Sequence, residues 1–272
     1  MGTTQFRSYP RVDDGSIPDG QAQINALADA VDVDVQALSG GYRLAAVLQY
    51  TSNGTFQKGN YAGIKAVEVE VMGAGGGSGF AAATTAAEIS FGEGGAGGGY
   101  GHGWILAGAL SSSETVTVGV GGIAGTSGVP DGGNGGNSAF GAHVTAGGGQ
   151  GGNDSGAAST ASSGAFTANS GGAAGAGTAC DISIAGEGEG TARYENGFMS
   201  DVTGLRGHRA GGPYSAAVNN STYSSLTGRS SQSAVAGAGI GGGARGPRNI
   251  TSSASQNGAA GADGRVIVRV YV

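Results

Sequence analysis

Residues 66–79 read Ala-Val-Glu-Val-Glu-Val-Met-Gly-Ala-Gly-Gly-Gly-Ser-Gly, and their reading decides the fold. Val67, Val69 and Val71 alternate with Glu68 and Glu70. A period of two with β-branched residues predicts a strand with one buried face. At Gly73 the strand runs into glycine, and the same event recurs. Glu114-Thr-Val-Thr-Val-Gly-Val runs into Gly121-Gly122, and Ala139-Phe-Gly-Ala-His-Val-Thr-Ala runs into Gly147-Gly-Gly. The last strand, Arg265 to Val272, is instead preceded by glycine, in Gly258-Ala-Ala-Gly-Ala-Asp-Gly. The pattern predicts a small β frame from which glycine-rich segments emerge.

Composition sharpens this. The chain has 272 residues, of which 61 are glycine, against about 7% in an average protein. Collagen needs a strict Gly-X-Y period and much proline. There is no such period, and only 5 prolines are present. Disorder would suit the low charge content of 12%, but clean strands at both ends of the glycine region argue for order. Ordering glycine is costly, at roughly 0.5–1 kcal/mol more than alanine per residue. Two devices can offset that: close backbone packing with mutual hydrogen bonding, in sheets or bundled polyproline-II-like runs, and a core shared between chains. The glycine segments are therefore expected as long loops or as polyproline-II-like bundles.

Before the frame, residues 1–20 are polar and irregular. One helix follows, with Ile24, Leu27, Val31 and Leu38 at helical spacing and Ser39-Gly40-Gly41 ending it. The stripe is narrow, which suits a seam between identical chains better than a full core face. Leu44 to Thr51 reads as a strand, Asn53-Gly54 as a hairpin turn, and Thr55-Phe56 as the return. Trp104 to Leu110 and Thr115 to Val120 read as short strands. Gly132-Gly-Asn-Gly-Gly-Asn-Ser-Ala-Phe-Gly reads as a tight turn system.

Residues 147–262 are less periodic and richer in serine, threonine, asparagine and arginine. Within them Tyr194, Phe198, Arg206, His208, Arg209, Tyr214 and Tyr223 gather in one stretch. Tyrosine and arginine are the anchors binding hot spots use. Aromatic faces stack on sugar rings, and arginine pairs with acidic groups. The bland alternative is that these side chains wedge the stretch together.

Other motifs carry less. Gly237-Ala-Gly-Ile-Gly-Gly has G-x-G-x-x-G spacing, but no strand precedes it and no helix can open after it, so nucleotide binding is not expected. Gly132 to Phe140 approaches a calcium-binding nonapeptide, with asparagine in place of the ligating aspartate and no stacked copies. Asp181, Glu187 and Glu189 read as solvated loop charges. His102, His143 and His208 share no ligand spacing, and Cys180 has no evident base. Glu187, Glu189 and Glu195 could in principle supply paired carboxylates for glycoside cleavage. No metal and no cofactor is expected. A net charge of −6 gives no basic face for nucleic acid. A single cysteine excludes an intrachain disulfide. No apolar leader opens the chain and no 18-residue apolar run exists, so membrane insertion is not expected.

Two stretches resemble known proteins. Val69-Glu-Val-Met-Gly-Ala-Gly-Gly-Gly, Thr115-Val-Thr-Val-Gly-Val-Gly-Gly, Gly135-Gly-Asn-Ser-Ala-Phe-Gly and the ending Gly261-Ala-Asp-Gly-Arg-Val-Ile-Val-Arg-Val are similar, in this order, to the glycine-rich domain of bacteriophage tail fibre and receptor-binding proteins. Ile17-Pro-Asp-Gly-Gln-Ala-Gln-Ile-Asn-Ala-Leu-Ala-Asp-Ala-Val-Asp resembles N-terminal segments of phage tail proteins. The resemblance covers about residues 50–152 and 236–272 and departs at 153–235. It implies a virion protein, often trimeric, whose glycine-rich loops carry host recognition.

Together these give a mainly β fold, a glycine-rich β-sandwich-like domain with long glycine-rich segments. Residues 1–40 are expected to dock to other tail or baseplate proteins and to form a homotrimer through Ile24, Leu27, Val31 and Leu38. Residues 41–272 would form the glycine-rich domain, with 153–235 presented to a bacterial surface glycan or protein. The expected function is non-enzymatic attachment on the exposed virion tail. A capsid decoration or head-fibre protein is the structural alternative, and a polysaccharide depolymerase the enzymatic one.

Overall fold

The computed structural model describes residues 2–3, 10–11, 27–29, 31, 41–159, 164–165, 170–188, 193–195, 198–201 and 231–272. The chain forms two compact units, 1–43 with Val272, and 44–271. In the first, strands β1 (Gly2–Thr3) and β2 (Pro10–Arg11) pair antiparallel. Leu27 and Val31 lie on helical backbone with 44% and 41% of their surface exposed. Ile24 and Leu38 lie outside the described residues.

The second unit is mainly β. Its strands are β3 (Leu44–Tyr50), β4 (Gly54–Gln57), β5 (Ala66–Met72), β6 (Glu88–Gly92), β7 (Tyr100–Leu106), β8 (Ser113–Thr117), β9 (Ser138–Phe140), β10 (Val144–Ala146) and β11 (Asp154–Ser159). They continue with β12 (Gly164–Ala165), β13 (Ile182–Ile184), β14 (Arg193–Glu195), β15 (Phe198–Asp201), β16 (Arg248–Asn249) and β17 (Arg265–Tyr271).

Two sheets build a sandwich. One has the order β13-β7-β5-β17-β3 and the other β10-β9-β8-β4, both antiparallel throughout. The alternation in β5 does what it predicts: Val67, Val69 and Val71 are fully buried and face Val266, Val268, Val270 and Ile105 in one core. The second sheet supplies Phe56, Val116, Phe140 and Val144, with the Phe56 and Phe140 rings 5.6 Å apart.

One expected turn is absent. β3 and β4 do not form a hairpin around Asn53-Gly54, because they belong to different sheets. The Asn53 side chain instead accepts the Val118 amide at 2.8 Å, joining the corner to the end of β8. The strand expected over 104–110 lies at Tyr100–Leu106, and β8 ends at Thr117. His143 sits in the turn between β9 and β10, with its Nε2 3.2 Å from the Glu114 carboxylate.

The glycine runs are neither loops nor strands. Residues 73–81 donate every amide in turn to three different neighbours. Gly73, Gly76 and Gly79 bond to the carbonyls of Gly99, Ala96 and Glu93; Ala74, Gly77 and Phe80 to Gly136, Gly133 and Pro130; Gly75, Ser78 and Ala81 to Ala262, Ala259 and Gln256. The period is three, and no bond closes within the run. That is the signature of the polyproline-II helix, which has three residues per turn and no internal hydrogen bonds.

The carbonyls of the same run accept from a second set of three. Ala74 and Gly77 accept from Gly149 and Gly152, Gly75 and Ser78 from Gly122 and Gly125, and Gly76 from Ala244. Six runs therefore surround one. The antiparallel neighbours are 92–99, 130–136 and 256–262, and the parallel ones are 119–125, 147–153 and 241–247. The ring closes on itself: 93, 96 and 99 bond to 153, 150 and 147; 132 and 135 to 152 and 149; 133 and 136 to 123 and 120. Residues 258, 261 and 264 bond to 125, 122 and 119; 262 to 242; and 92, 95 and 98 to 247, 244 and 241.

Such packing requires glycine for steric reasons. A methyl group added at Gly76 would lie 1.9 Å from the Gln150 carbonyl oxygen, and one at Gly77 1.9 Å from that of Ile123. Residues 71–81 are all buried, so the central run is the core of this half, built from backbone rather than side chains. The stretch 132–136, expected as a turn system, is one of the surrounding runs.

Candidate functional site

The sandwich lies at one end of the bundle, and there the chain passes from strand to run almost without a loop. β5 ends at Met72 and the central run begins at 73; run 92–99 is followed by β7 at Tyr100; β10 ends at Ala146 before 147; and Gly264 precedes β17. At the opposite end the runs are joined by longer connections, which include the short strands β6 and β16. Residues 82–91, 126–129 and 248–255 each join neighbouring runs there. The stretch following 153 also leaves from that end, and the chain re-enters from it at Gln232. Run 147–153 points toward it, and Ser170 returns from it opposite Gln150. Glu187 lies on an outward path beside Gly97, and Gln232 returns paired with Arg248. One tip thus collects the irregular chain, and a rigid bundle holds it.

The described part of the tip is organised by side chains. A three-stranded sheet, β11-β6-β16, caps it. Asn249 is fully buried, and its Nδ2 donates to the carbonyls of Ala82 and Ala254, each at 2.8 Å. The Gln256 amide donates to the Asn249 Oδ1 and to the Arg248 carbonyl. Thr84 Oγ1 donates to the Ile250 carbonyl and accepts the Ser253 amide at 3.0 Å. Ser231, at the root of the returning limb, accepts the Ile250 amide at 3.2 Å and meets the Ser253 hydroxyl at 2.6 Å. These bonds tie three loops together, although the buried Gln232 Oε1 nearby has no partner among the described residues.

Among the described residues the tip carries the carboxylates of Asp131, Asp154, Glu93 and Glu88, together with Arg248 of β16. The Asp154 amide is bonded by Asp131 at 2.9 Å, and the Asp154 carboxylate accepts the Gly156 amide at 2.8 Å. Burial pushes the Asp154 carboxyl above its ordinary range, opposed by the Gly156 amide and reinforced by the Asp131 charge. Glu93 is 1% exposed and accepts both the backbone amide and the side-chain amide of Asn153. Glu88 is held low by the Thr85 amide, which its carboxylate accepts at 2.9 Å.

A second polar cluster lies on the outer face of the five-stranded sheet. His102 Nε2 is 3.1 Å from Glu68, Tyr271 donates to Glu68 at 3.0 Å, and Tyr100 donates to Glu70 at 3.1 Å. Arg269 bridges both carboxylates. Burial would raise Glu68, but bonds from His102 and Tyr271 and the Arg269 charge outweigh it and hold the carboxyl low. Trp104 stacks near Tyr271, with ring centres 4.9 Å apart. This network spans neighbouring strands, and its carboxylates are all engaged by His102, Tyr100, Tyr271 and Arg269, so it reads as fastening rather than chemistry, with His102 Nδ1 buried and without a partner among the described residues. Among the described residues no group of three acidic, histidine or cysteine side chains could hold a metal ion. A shallow cavity of about 330 Å³ beside Asn53, Val118 and Asp263 is a seam, since both polar side chains already accept backbone amides.

Tyr194 and Phe198 lie on β14 and β15, which pair within the sheet β12-β14-β15. Arg206, His208, Arg209, Tyr214 and Tyr223 lie outside the described residues. The stretch 153–235 is not all an appendage. β11 caps the tip, 172 and 175 bond to 97 and 100 in the bundle, β13 edges the sandwich, and 232 and 235 pair with 248 and 245. Gly237 to Gly242 bears no helix; Gly239 and Gly241 take φ of 68° and 67°, turning the chain into run 241–247. The tip residues Asn249, Gln256, Thr84 and Ser231 carry no motif, and only the three-dimensional bundle shows that they meet.

No curated protein matches the chain. The model of the glycine-rich domain matches residues 51–271, which spans the bundle, the tip and the sandwich apart from β3, and the chain belongs to that family.

Proposed function

We propose that the chain is a non-enzymatic host-attachment protein of a bacteriophage tail fibre or tail tip, which presents the tip of the bundle to a bacterial surface glycan or protein. One observation carries this reading: among the described residues, the connections 82–91, 126–129 and 248–255 and the start of the stretch following 153 gather at the end of the bundle opposite the sandwich. A scaffold that fixes several variable loops at one face is the arrangement recognition proteins use. The bundle is suited to an exposed particle, because its core consists of backbone hydrogen bonds that side-chain changes in the loops do not touch. The resemblance of residues 17–32 to phage tail segments supports docking of residues 1–40 to other virion proteins, with the chain exposed on the tail as a homo-oligomer.

The test is binding of labelled full-length protein to a panel of bacterial strains. It is compared with a variant in which 189–230 is replaced by a short Gly-Ser linker joining 188 to 231. Saturable binding to a subset of strains, lost in the shortened but folded variant, is expected. Equal binding by both proteins would remove 189–230 from the site, and absence of binding to strains that the parent phage infects would move the chain to a structural role in the particle.

A further inference from the structure

The five-stranded sheet ends on β3, and among the described residues the outer edge of that strand has no partner. Its seven residues, Leu-Ala-Ala-Val-Leu-Gln-Tyr, contain no charge and no proline. Open edges are normally blunted by lysine, proline, a bulge or shortness. The other edge of this sheet, β13, has three residues, and the edges of the second sheet, β10 and β4, have three and four. β3 alone among these edges is both long and unguarded. Its outward side chains are Ala45, Val47 and Gln49, with Val47 51% exposed, and Leu44 at the end of the inner face is 50% exposed.

We propose that β3 pairs antiparallel with β3 of a second copy of this chain, about a two-fold axis through Val47. In that register Val47 opposes Val47, Ala46 opposes Leu48, Ala45 opposes Gln49 and Leu44 opposes Tyr50. Ala45 and Ala46 meet the longer Gln49 and Leu48, Leu44 meets Tyr50, and no charged side chain meets another. The nearest charge on the outer face is Arg269, opposite Val47 on β17, and it is already bridged to Glu68 and Glu70. Joining the edges therefore brings no unpaired like charges together. On the inner face Ala46, Leu48 and Tyr50 pack against the sandwich core, so the two cores become continuous across the junction. Any neutral strand satisfies an open edge, but this sequence pairs with itself without bringing charges together, and a two-fold axis is the commonest symmetry of soluble assemblies. The contact makes pairs of chains rather than triplets. It does not depend on the attachment reading.

The test uses the full chain in a Cys180→Ser background. In the proposed register the two Val47 Cα atoms lie about 4.5–5.5 Å apart, inside the window for a disulfide. The two Gln49 Cα atoms lie about 13 Å apart along the strands. Mild oxidation is expected to link Val47→Cys chains into pairs and to leave Gln49→Cys chains single. The parent protein is expected to sediment at twice the monomer mass, and Val47→Lys at the monomer mass with an unchanged circular dichroism spectrum. A monomeric or trimeric parent, or cross-linking of Gln49→Cys as readily as Val47→Cys, overturns the proposal. If Val47→Lys does not fold, the cysteine pair decides alone.

Discussion

The side chain of Asn134 accepts the backbone amide of Gly151 at 2.9 Å. It is the middle rung of a ladder: Asn137 accepts from Gly148 and Asp131 from Asp154, each at 2.9 Å. The acceptors are spaced by three in one run and the donors by three in the next. Run 147–153 has thus spent its amides in three directions, on the central run, on 170–173 and on this ladder. The ladder caps amides that would otherwise invite another run to add, as gatekeepers do at a sheet edge. Asn134→Ala is expected to leave the Gly151 amide unpaired at a partly buried site and to cost about 1–2 kcal/mol. Asn134→Asp, which keeps the acceptor, should cost less. Urea denaturation of the two variants checks this, and equal losses would refute the ladder.

Close packing of backbones predicts a steep contrast among glycines. Gly76→Ala places a methyl 1.9 Å from the Gln150 oxygen, deep in the bundle where neither backbone can move aside. It should cost on the order of 3–5 kcal/mol or prevent folding. Gly59→Ala meets nothing within 4 Å, and by restricting the unfolded chain it should be neutral or stabilise by about 0.5 kcal/mol. Thermal melts of the pair separate a steric need for glycine from mere composition.

This contrast also marks what the sequence could show. The frame was legible because Val67-Glu-Val-Glu-Val and Val266-Ile-Val-Arg-Val alternate, and a period of two has one structural meaning. The bundle was legible only as one of two alternatives for the glycine segments, loops or polyproline-II-like runs, because its period of three belongs to hydrogen bonds, and most rungs are glycine, which leaves no side chain to mark them. Only Asp131-Gly-Gly-Asn-Gly-Gly-Asn writes that period in side chains. The same spacing also resembles a turn system and a calcium loop, so the letters do not choose between them. Asn53-Gly54 misleads for a related reason: the pair does turn the chain, but between sheets, and the side chain is committed to Val118. At the tip, Asn249 and Ala82 are 167 residues apart in sequence, a distance over which local pattern says nothing.

Acid should weaken the sandwich through Glu114. This buried carboxylate is pushed up by burial but held lower overall by the Ser111 amide and by His143. A carboxyl whose folded pKa lies below its unfolded value of 4.5 contributes stability above that pH and loses it as pH falls through the folded value. Stability is therefore expected to be insensitive to Glu114 between pH 5 and 7 in the parent protein, by roughly the interval over which an unfolded glutamate stays ionised. It should drop below about pH 4.5. Glu114→Gln should be less stable at pH 7 and show a shallower acid decline. Parallel acid declines in the two proteins would show that Glu114 does not carry the effect.

The tip makes the sharpest prediction, because one side chain ties its loops. Asn249 has no exposed surface and bonds to the carbonyls of Ala82 and Ala254 and to Gln256. Asn249→Ala removes all three bonds; the Ala82 carbonyl keeps the Ser90 hydroxyl and Gln256 keeps the Arg248 carbonyl, while the Ala254 carbonyl loses its side-chain donor, a loss of about 1–2 kcal/mol. The loss should be local. The bundle's own amides stay bonded, so hydrogen exchange is expected to quicken at 82–85 and 250–254 while residues 73–79 remain protected. Asn249→Asp keeps the size and the acceptor but loses the donor, and it should loosen the same loops. If the tip is the attachment surface, both variants bind cells more weakly at unchanged oligomer mass. Uniformly faster exchange, reaching 73–79, would instead show that loops and bundle unfold as one unit, and that the tip is not a separately adjustable surface.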